Sequence, residues 1–106
     1  MHLSIIIPVY NSELILPKLV QEINKALFKS NFEKELIFIN DYSKDNSWFE
    51  IKRLVKSYSF IKGINLKNNF GQHNAISAGL SFSSGKYIIM MDDDLQHDPA
   101  YILNIL

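Results

Sequence analysis

Short apolar runs alternate with polar turns along the chain, and this pattern predicts four buried strands. The runs span residues 3–9, 35–39, 60–66 and 87–91. An apolar run of strand length is typical of a strand that is covered on both faces, as in a parallel sheet. Lys62, Gly63 and Asn65 interrupt the third run, which therefore predicts the weakest strand.

The segment between the first two strands predicts an amphipathic helix. Asn11 or Ser12 can cap its start. Pro17 fits only in or near its first turn, because deeper in a helix proline removes a backbone hydrogen bond. Ser30 and Asn31 are expected to close the helix. Its apolar face is formed by Leu16, Leu19, Val20, Ile23 and Leu27.

A second helix is predicted to open with a capping box, because Glu50 follows Ser47 by three residues. In this arrangement the two side chains would satisfy free backbone N–H groups at the start of the helix. The side facing the core is expected to hold Trp48, Ile51, Leu54, Val55 and Tyr58.

A third helix is predicted over residues 72–83, after a turn at residues 68–71. Its small residues Ala75, Ala78 and Gly79 would let its backbone approach the sheet closely, and Ser84-Gly85 reads as its C-terminal stop. Asp98-Pro99 predicts the start of a fourth helix, with the aspartate as cap and proline at the first helical position.

These elements predict an α/β fold with a parallel sheet of about four strands and helices on both faces. In such sheets, ligands bind beyond the carboxyl ends of the strands. Polar clusters follow the first, second and fourth strands, at residues 10–13, 41–43 and 92–96. We therefore expect the three clusters to meet at one edge of the sheet, which points to a binding site.

Composition narrows the possible functions. The 106 residues have room for one domain, and 47% of them are hydrophobic, as expected for a folded core. Acidic and basic residues balance at 11 each, so net charge gives no case for a nucleic-acid partner. The absence of cysteine excludes disulfides and thiolate metal sites. The sequence shows neither a signal peptide nor an apolar run long enough to cross a bilayer.

Three consecutive carboxylates follow the fourth apolar run. Because alternate residues of an extended segment point the same way, Asp92, Asp94 and Gln96 can present oxygen atoms to one side, with Asp93 on the other. A divalent cation would offset the repulsion between these acids, and Mg²⁺ or Mn²⁺ suits oxygen ligands. The alternative is a solvated acidic loop.

Two residues after the first two strands are candidates for binding a nucleoside. Asp41 can accept a hydrogen bond from an imide N–H or a hydroxyl, and Tyr10 can stack on a flat base. Asp41 could equally be a turn residue or helix cap, and Tyr10 an aromatic at the edge of the core. Asp45 is expected to support the loop and the helix start rather than touch a ligand. The chain has neither a P-loop nor a dinucleotide-binding glycine pattern.

Four segments together resemble the family 2 inverting glycosyltransferases. They are residues 4–11 (Ser-Ile-Ile-Ile-Pro-Val-Tyr-Asn), 40–47 (Asn-Asp-Tyr-Ser-Lys-Asp-Asn-Ser), 69–75 (Asn-Phe-Gly-Gln-His-Asn-Ala) and 91–96 (Met-Asp-Asp-Asp-Leu-Gln). The resemblance runs through nearly all of the chain. It is closest to the branch that transfers sugars to polyprenyl phosphates such as dolichol or undecaprenyl phosphate.

This resemblance implies a Rossmann-like fold of the glycosyltransferase A type and a UDP- or GDP-sugar donor. It implies that Pro8, Tyr10 and Asp41 line the base and ribose pocket, with Asn11, Glu13 and Asp93 among the nucleotide-binding residues. It also implies that Asp92 and Asp94, with Gln96, hold Mg²⁺ or Mn²⁺ on the diphosphate. The acceptor would be a polyprenyl phosphate or a saccharide, and the enzyme would act at the cytoplasmic face of the membrane.

The chain departs from the family pattern at several positions. Ser12 stands where an acidic residue often follows Tyr-Asn, and Glu13 is the candidate substitute. Tyr42 replaces the usual glycine after Asp41, so we expect that turn to be made differently. Asn68 stands where many polyprenyl-phosphate members carry arginine, and Asp98-Pro99-Ala100 varies the common Pro-Pro-Glu.

The resemblance also predicts that the chain is an N-terminal fragment. The catalytic base, the acceptor-binding residues and any membrane helices would then lie downstream of Leu106, and the fragment alone would bind donor without transferring it. An exposed apolar surface would favour self-association. Two alternatives stay open: a non-catalytic nucleotide-binding module, and a receiver-like phosphoacceptor domain.

Overall fold

A computed structural model describes residues 2–27, 33–66 and 72–91, of which residues 72–75 are described by their backbone alone. It confirms an α/β fold with a parallel sheet. The strands lie in the order β3-β2-β1-β4, so β1 is central and is flanked by β2 and β4. The elements are β1 (His2–Val9), α1 (Leu16–Leu27), β2 (Glu33–Asp41), α2 (Ser47–Ser57), β3 (Ile61–Leu66), α3 (Gln72–Phe82) and β4 (Tyr87–Met90).

The two faces of the sheet carry two separate apolar clusters, because alternate strand residues point to opposite sides. The larger cluster joins one face of β1 and β2 to α1 and α2, and it contains Ile5, Ile7 and Phe38. On the opposite face, Ile6, Ile37 and Ile39 pack with Ala78 of α3. The prediction of helices on both faces is therefore confirmed.

Gly79 allows α3 to lie close to the sheet, as predicted. A Cβ atom at this position would lie 2.5 Å from Ile6 Cγ2 and 2.8 Å from Ile39 Cδ1, which is closer than side chains tolerate. The missing side chain therefore sets the distance between α3 and the two central strands.

Some sequence predictions about the helices were wrong. Val55 is 37% exposed, because the core face of α2 is narrower than predicted and is centred on Ile51 and Leu54. The predicted capping box is also absent. Asn46 holds the N-cap position, and Glu50 instead bonds to Arg53 Nε at 3.1 Å.

Of the two predicted caps of α1, Asn11 directs its side-chain oxygen to the backbone N–H of Lys44 at 2.8 Å, in the neighbouring loop. Ser12 contributes its carbonyl oxygen, which accepts from the N–H of Leu16 at 3.3 Å. Pro17 is the second residue of the helix, where its missing N–H costs nothing. The predicted helix end at Ser30-Asn31, the turn at residues 68–71 and the helix start at Asp98-Pro99 lie outside the described residues.

A buried carboxylate closes the amino end of the sheet. Glu35 of β2 accepts hydrogen bonds from the Lys62 ammonium at 2.6 Å, from the Ser84 backbone N–H at 2.6 Å and from the Ser4 hydroxyl. The Ser4 oxygen in turn accepts from the Gly85 N–H at 2.8 Å. The connection from α3 to β4 is thus fixed to β1 and β2 at the end opposite the candidate site.

The charge of Glu35 is stabilised by these partners. Burial alone would raise the pKa of its carboxyl group, but the hydrogen bonds from Lys62, Ser4 and Ser84 outweigh that effect and lower the pKa to about 2. Within the described ranges, no helix combines the length and apolar character needed to cross a bilayer.

Candidate functional site

Two loops meet at the carboxyl edge of the sheet, because they leave neighbouring parallel strands at the same level. Val9 pairs with Asn40 at the ends of β1 and β2, so residues 10–15 and 42–46 emerge side by side. We call these segments the paired loops. Their proximity confirms that the first two predicted polar clusters converge.

Hydrogen bonds join the paired loops into one unit. The Asn11 N–H donates to Ser43 Oγ at 3.0 Å, and the Lys44 N–H donates back to Asn11 Oδ1 at 2.8 Å. Just beyond, the Ser12 N–H donates to Ser47 Oγ at 2.8 Å. Ser47 therefore serves the loop contact rather than the predicted capping box.

Asp45 supports the loops, as predicted. Its two carboxylate oxygens accept from the Ser47 N–H at 2.9 Å and the Glu13 N–H at 3.2 Å. Burial tends to raise the pKa of this carboxyl group, but hydrogen bonds from Ser47 and Glu13 outweigh it, so the pKa is lowered. Asp45 thus stays ionised and joins the start of α2 to the start of α1.

Both loops turn through left-handed backbone. Asn11 has a φ of 52° and Tyr42 a φ of 55°. Asparagine adopts this region more readily than most residues, whereas a bulky side chain rarely does. The sequence predicted that, without glycine at residue 42, this turn would need another conformation. That prediction was wrong, since Tyr42 itself adopts the left-handed conformation that glycine favours.

The predicted base and ribose residues Pro8 and Asp41 share a face of the sheet. Pro8 follows Ile6 by two residues in β1, and Asp41 follows Ile39 by two residues in β2. Side chains two residues apart in a strand point to the same face, so Pro8 and Asp41 belong to the face that α3 covers. Asp41 is only 5% exposed, whereas Tyr10, directly after β1, is 46% exposed. A buried carboxylate and an accessible aromatic ring thus flank the ends of adjacent strands.

Asn40, near the end of β2, is an incompletely bonded polar residue that the sequence did not single out. Its side chain is 3% exposed and its Nδ2 donates to Asn65 Oδ1 at 2.9 Å. Its own Oδ1 is buried and accepts no hydrogen bond from any residue in the described ranges. A buried acceptor without a donor is costly, but Asn40 lies on the same face of β2 as Phe38, opposite Asp41, so the two side chains do not share one pocket. The sequence signal was a polar amide directly after the apolar run of β2.

Tyr42 is a second residue whose role the sequence did not indicate. The sequence marked this residue only as a substitute for the usual glycine. In the structure its ring is half exposed and it follows Asp41 directly. With Tyr10 on the neighbouring loop, it gives the edge two accessible aromatic side chains.

A cavity of about 320 Å³ opens on the paired loops. Asn11 and Glu13 of the predicted nucleotide-binding set line it, together with Asp45. Glu13 lies beside Asp45 through its backbone N–H, so the acidic residue that follows Tyr-Asn-Ser is brought to the same edge as Asp41.

The predicted metal ligands Asp92, Asp94 and Gln96, and the neighbouring Asp93, lie outside the described residues. The described chain reaches Met91, which is buried and donates its N–H to the Ile6 carbonyl at 3.1 Å. Because β4 runs parallel to β1, it leads toward the same edge as the paired loops. Among described residues, no three histidine, aspartate or glutamate side chains are grouped to hold a metal ion.

Comparison with known proteins agrees with this architecture. Residues 4–106 match the family model "Glycosyl transferase family 2". The chain is 42% identical over 104 residues to an undecaprenyl-phosphate 4-deoxy-4-formamido-L-arabinose transferase of Shewanella sediminis, covering 97% of the chain and 31% of that relative.

Solved structures show the same fold. The mannosyltransferase PcManGT from Pyrobaculum calidifontis, in complex with GDP-Man and Mn²⁺, superposes with a TM-score of 0.82 at 16% identity, over 95% of the chain and 30% of that structure. S. aureus TarS 1-349 with UDP-GlcNAc superposes with a TM-score of 0.69 at 27% identity, over 89% and 27%. The chain spans just under a third of the length of the relatives it matches. Its fold is the Rossmann-like glycosyltransferase A type. By its sequence and its fold, the chain belongs to glycosyl transferase family 2.

Proposed function

We propose that the chain binds the nucleotide-sugar donor of a glycosyltransferase at the carboxyl edge of its sheet. The observation that carries this proposal is the joining of the two loops after β1 and β2, which brings Tyr10 and Asp41 to adjacent strand ends. Ligands of open parallel sheets bind at this edge.

Each residue has a role that follows from its chemistry. The exposed Tyr10 ring can cover one face of the base. The Asp41 carboxylate accepts from an imide N–H or a ribose hydroxyl. Pro8, Asn11 and Glu13 complete the lining on the β1 side. Asp93 is proposed to contact the nucleotide from the β4 side.

Asp92, Asp94 and Gln96 would hold a divalent cation, because carboxylate and amide oxygens suit Mg²⁺ or Mn²⁺. When bound, the cation neutralises the diphosphate of the departing nucleotide. The structure of PcManGT contains GDP-Man and Mn²⁺, and that of TarS contains UDP-GlcNAc, which supports a GDP- or UDP-sugar donor.

The acceptor is proposed to be a polyprenyl phosphate or a saccharide. The Shewanella sediminis relative is named for transfer involving undecaprenyl phosphate, which favours a lipid phosphate. Action at the cytoplasmic face of the membrane is part of the proposal. An acceptor oxygen would attack the anomeric carbon in line and invert its configuration. The catalytic base is expected beyond residue 106, so the 106-residue chain is expected to bind donor without turnover.

Calorimetric titration of the folded chain with UDP and GDP, with and without Mn²⁺, tests the proposal. We expect binding that strengthens with Mn²⁺. Asp41→Asn should weaken binding by at least about tenfold, since hydrogen bonds to charged groups contribute about 1.5–3 kcal/mol. Asp92→Asn with Asp94→Asn should abolish the Mn²⁺ effect. Glu33→Gln, an exposed position at the opposite edge, is the matched control. A folded chain that binds neither nucleotide would refute the proposal.

A non-catalytic nucleotide-binding module is the second candidate, because binding of a nucleotide by Tyr10 and Asp41 requires no catalytic group. It predicts the same titration but no transfer by any longer form of the protein. The receiver-like alternative requires acidic residues at the end of β1, where Pro8, Val9 and Tyr10 stand, and family membership gives it no support. Exposed apolar side chains on β4, at Tyr87, Ile88 and Met90, favour self-association of the chain.

A further inference from the structure

The outer surface of α2 carries an ordered stripe that nucleotide binding does not use. Phe49, Lys52, Arg53 and Lys56 recur at helical spacing, and all four side chains are exposed. Residues spaced three and four apart lie on one face of a helix, so these four form a single continuous stripe. We call it the α2 stripe.

The α2 stripe combines positive charge with an exposed aromatic ring. Phe49 is 66% exposed, although phenylalanine is among the residue types most often fully buried. Lys52 places its ammonium 5.8 Å from the centre of that ring. Glu50 partly offsets Arg53, and with Lys52 and Lys56 the helix keeps a net charge of +2, from three cations and one carboxylate. The whole chain has no net charge, so the positive charge of α2 is a local feature of this helix.

Beside the stripe lies a groove of about 440 Å³ between α2 and β3. Trp48, Val55 and Gly63 form its apolar part, and the three cations of the stripe border it. Gly63 opens the groove: a Cβ atom there would lie 2.7 Å from Ile51 Cγ2 and 3.3 Å from the Trp48 ring. Val55, which was predicted to face the core, contributes to this groove instead.

We propose that the α2 stripe docks the protein on an anionic phospholipid surface. Lysine and arginine side chains are attracted to anionic headgroups, and aromatic or aliphatic side chains gain by entering the boundary between headgroups and acyl chains. Phe49 and Val55 would enter that boundary while Lys52, Arg53 and Lys56 contact phosphates. A second copy of the chain fits less well, because it would bring two positively charged stripes together.

A nucleic acid fits less well for a different reason. A net charge of +2 on one helix is small for phosphate-backbone binding, which depends on many neutralised phosphates. The exposed Phe49 and Val55 instead match the mixed apolar and basic character of a lipid interface.

Vesicle flotation of the 106-residue chain provides the first test, with phosphatidylcholine vesicles that contain or lack phosphatidylglycerol. We expect binding only to the anionic vesicles, and weaker binding at high salt. Replacing the stripe cations (K52Q, R53Q and K56Q together) should lower partitioning at least about tenfold. The matched control replaces three exposed lysines elsewhere (K18Q, K25Q and K86Q together) and should change partitioning by less than about twofold.

Trp48 gives a second readout that needs no substitution. It is the single tryptophan of the chain and it lines the groove. Its emission should shift to the blue on anionic vesicles, and brominated lipids should quench it. Phe49→Ser, at an exposed position, should reduce partitioning several-fold while the thermal melt is unchanged.

Three results would overturn the proposal. These are failure of the chain to bind anionic vesicles, equal losses in the two triple variants, and stronger binding to a single-stranded oligonucleotide than to the vesicles. The measurements contain no nucleotide sugar, so they stand or fall separately from donor binding.

Discussion

The backbone N–H of Ser84 lies 2.6 Å from a carboxylate oxygen of Glu35, although 49 residues separate them in sequence. The Ser84 hydroxyl approaches the same oxygen at 3.0 Å. This contact fixes the start of β4 against β2, across the central strand β1. Since β4 leads directly into the acidic stretch, a buried residue at the amino edge determines where the proposed metal ligands begin.

Removing this carboxylate should destabilise the protein. Glu35→Gln keeps the size of the side chain but replaces charged acceptors by a single amide oxygen, and its NH₂ group would face donors. We expect a loss of about 2 kcal/mol in the free energy of unfolding, typical of a hydrogen bond to a buried charge. Urea denaturation measures it, with Glu33→Gln, exposed on the same strand, as the control. Equal stability of the two variants would contradict the assigned role.

The same carboxylate should make stability depend on pH in acid. The pKa of Glu35 is about 2 in the folded protein, below its ordinary value of 4.5, so the folded state binds fewer protons than the unfolded state. Its stabilising contribution is present above about pH 4.5 and is lost as the pH falls toward 2. The lowered pKa corresponds to at most about 3 kcal/mol. The melting temperatures of wild type and Glu35→Gln should therefore converge as the pH falls through this window. A constant difference between the two melting temperatures would argue against a stabilising role for the Glu35 charge.

Tyr42 should be one of the few positions where glycine does not destabilise. Its φ of 55° strains a side chain by about 1–2 kcal/mol, while glycine loses about 0.5–1 kcal/mol through backbone entropy. We expect Tyr42→Gly to be neutral or stabilising by about 1 kcal/mol, and Tyr42→Val to be destabilising, because β-branched residues avoid this conformation. Chemical denaturation of the pair decides it: a marked loss in Tyr42→Gly would show that the tyrosine ring contributes more than the strain costs.

The parts of this fold that depend on local pattern could be predicted from the sequence. The four apolar runs predicted the strands, and helical spacing of residues such as Leu19 and Ile23 predicted the helix faces, because burial imposes both periods. The order of the strands could not be obtained this way, since no local pattern records that β4 pairs with β1 rather than with β3. The Glu35 cluster was missed for the same reason: its partners are distant in sequence.

In the candidate site too, some features could be predicted from the sequence and others could not. Asp41 and Tyr10 were predicted because polar residues that follow apolar strands collect at one edge. Asn40 was missed, because its unsatisfied oxygen becomes evident only when its neighbours Asn65 and Val9 are in place. The capping-box prediction was wrong because the Ser47 hydroxyl can accept a hydrogen bond either from its own helix or from the neighbouring loop. The pattern S-x-x-E indicates only the first of these, whereas the structure has the second.

Gly79 should tolerate no side chain, although alanine is the better helix former by about 1 kcal/mol. A methyl group there would lie 2.5 Å from Ile6 Cγ2 and 2.8 Å from Ile39 Cδ1, both in the sheet. We expect Gly79→Ala to cost about 1–3 kcal/mol net, because overpacking a core forces neighbouring side chains to shift. Ser81→Ala, at an exposed position on α3, gains helix propensity without a steric conflict and is the control.

The two variants separate packing from propensity. If propensity dominated, both would be stabilised, and α3 would have room to move away from the sheet. If packing dominates, as we expect, unfolding by urea will show Gly79→Ala destabilised and Ser81→Ala neutral or slightly stabilised. The outcome also bears on the site, since α3 covers the face of the sheet to which Asp41 and Pro8 belong. A displaced α3 should therefore weaken nucleotide binding by Gly79→Ala, and should leave Ser81→Ala at wild-type affinity.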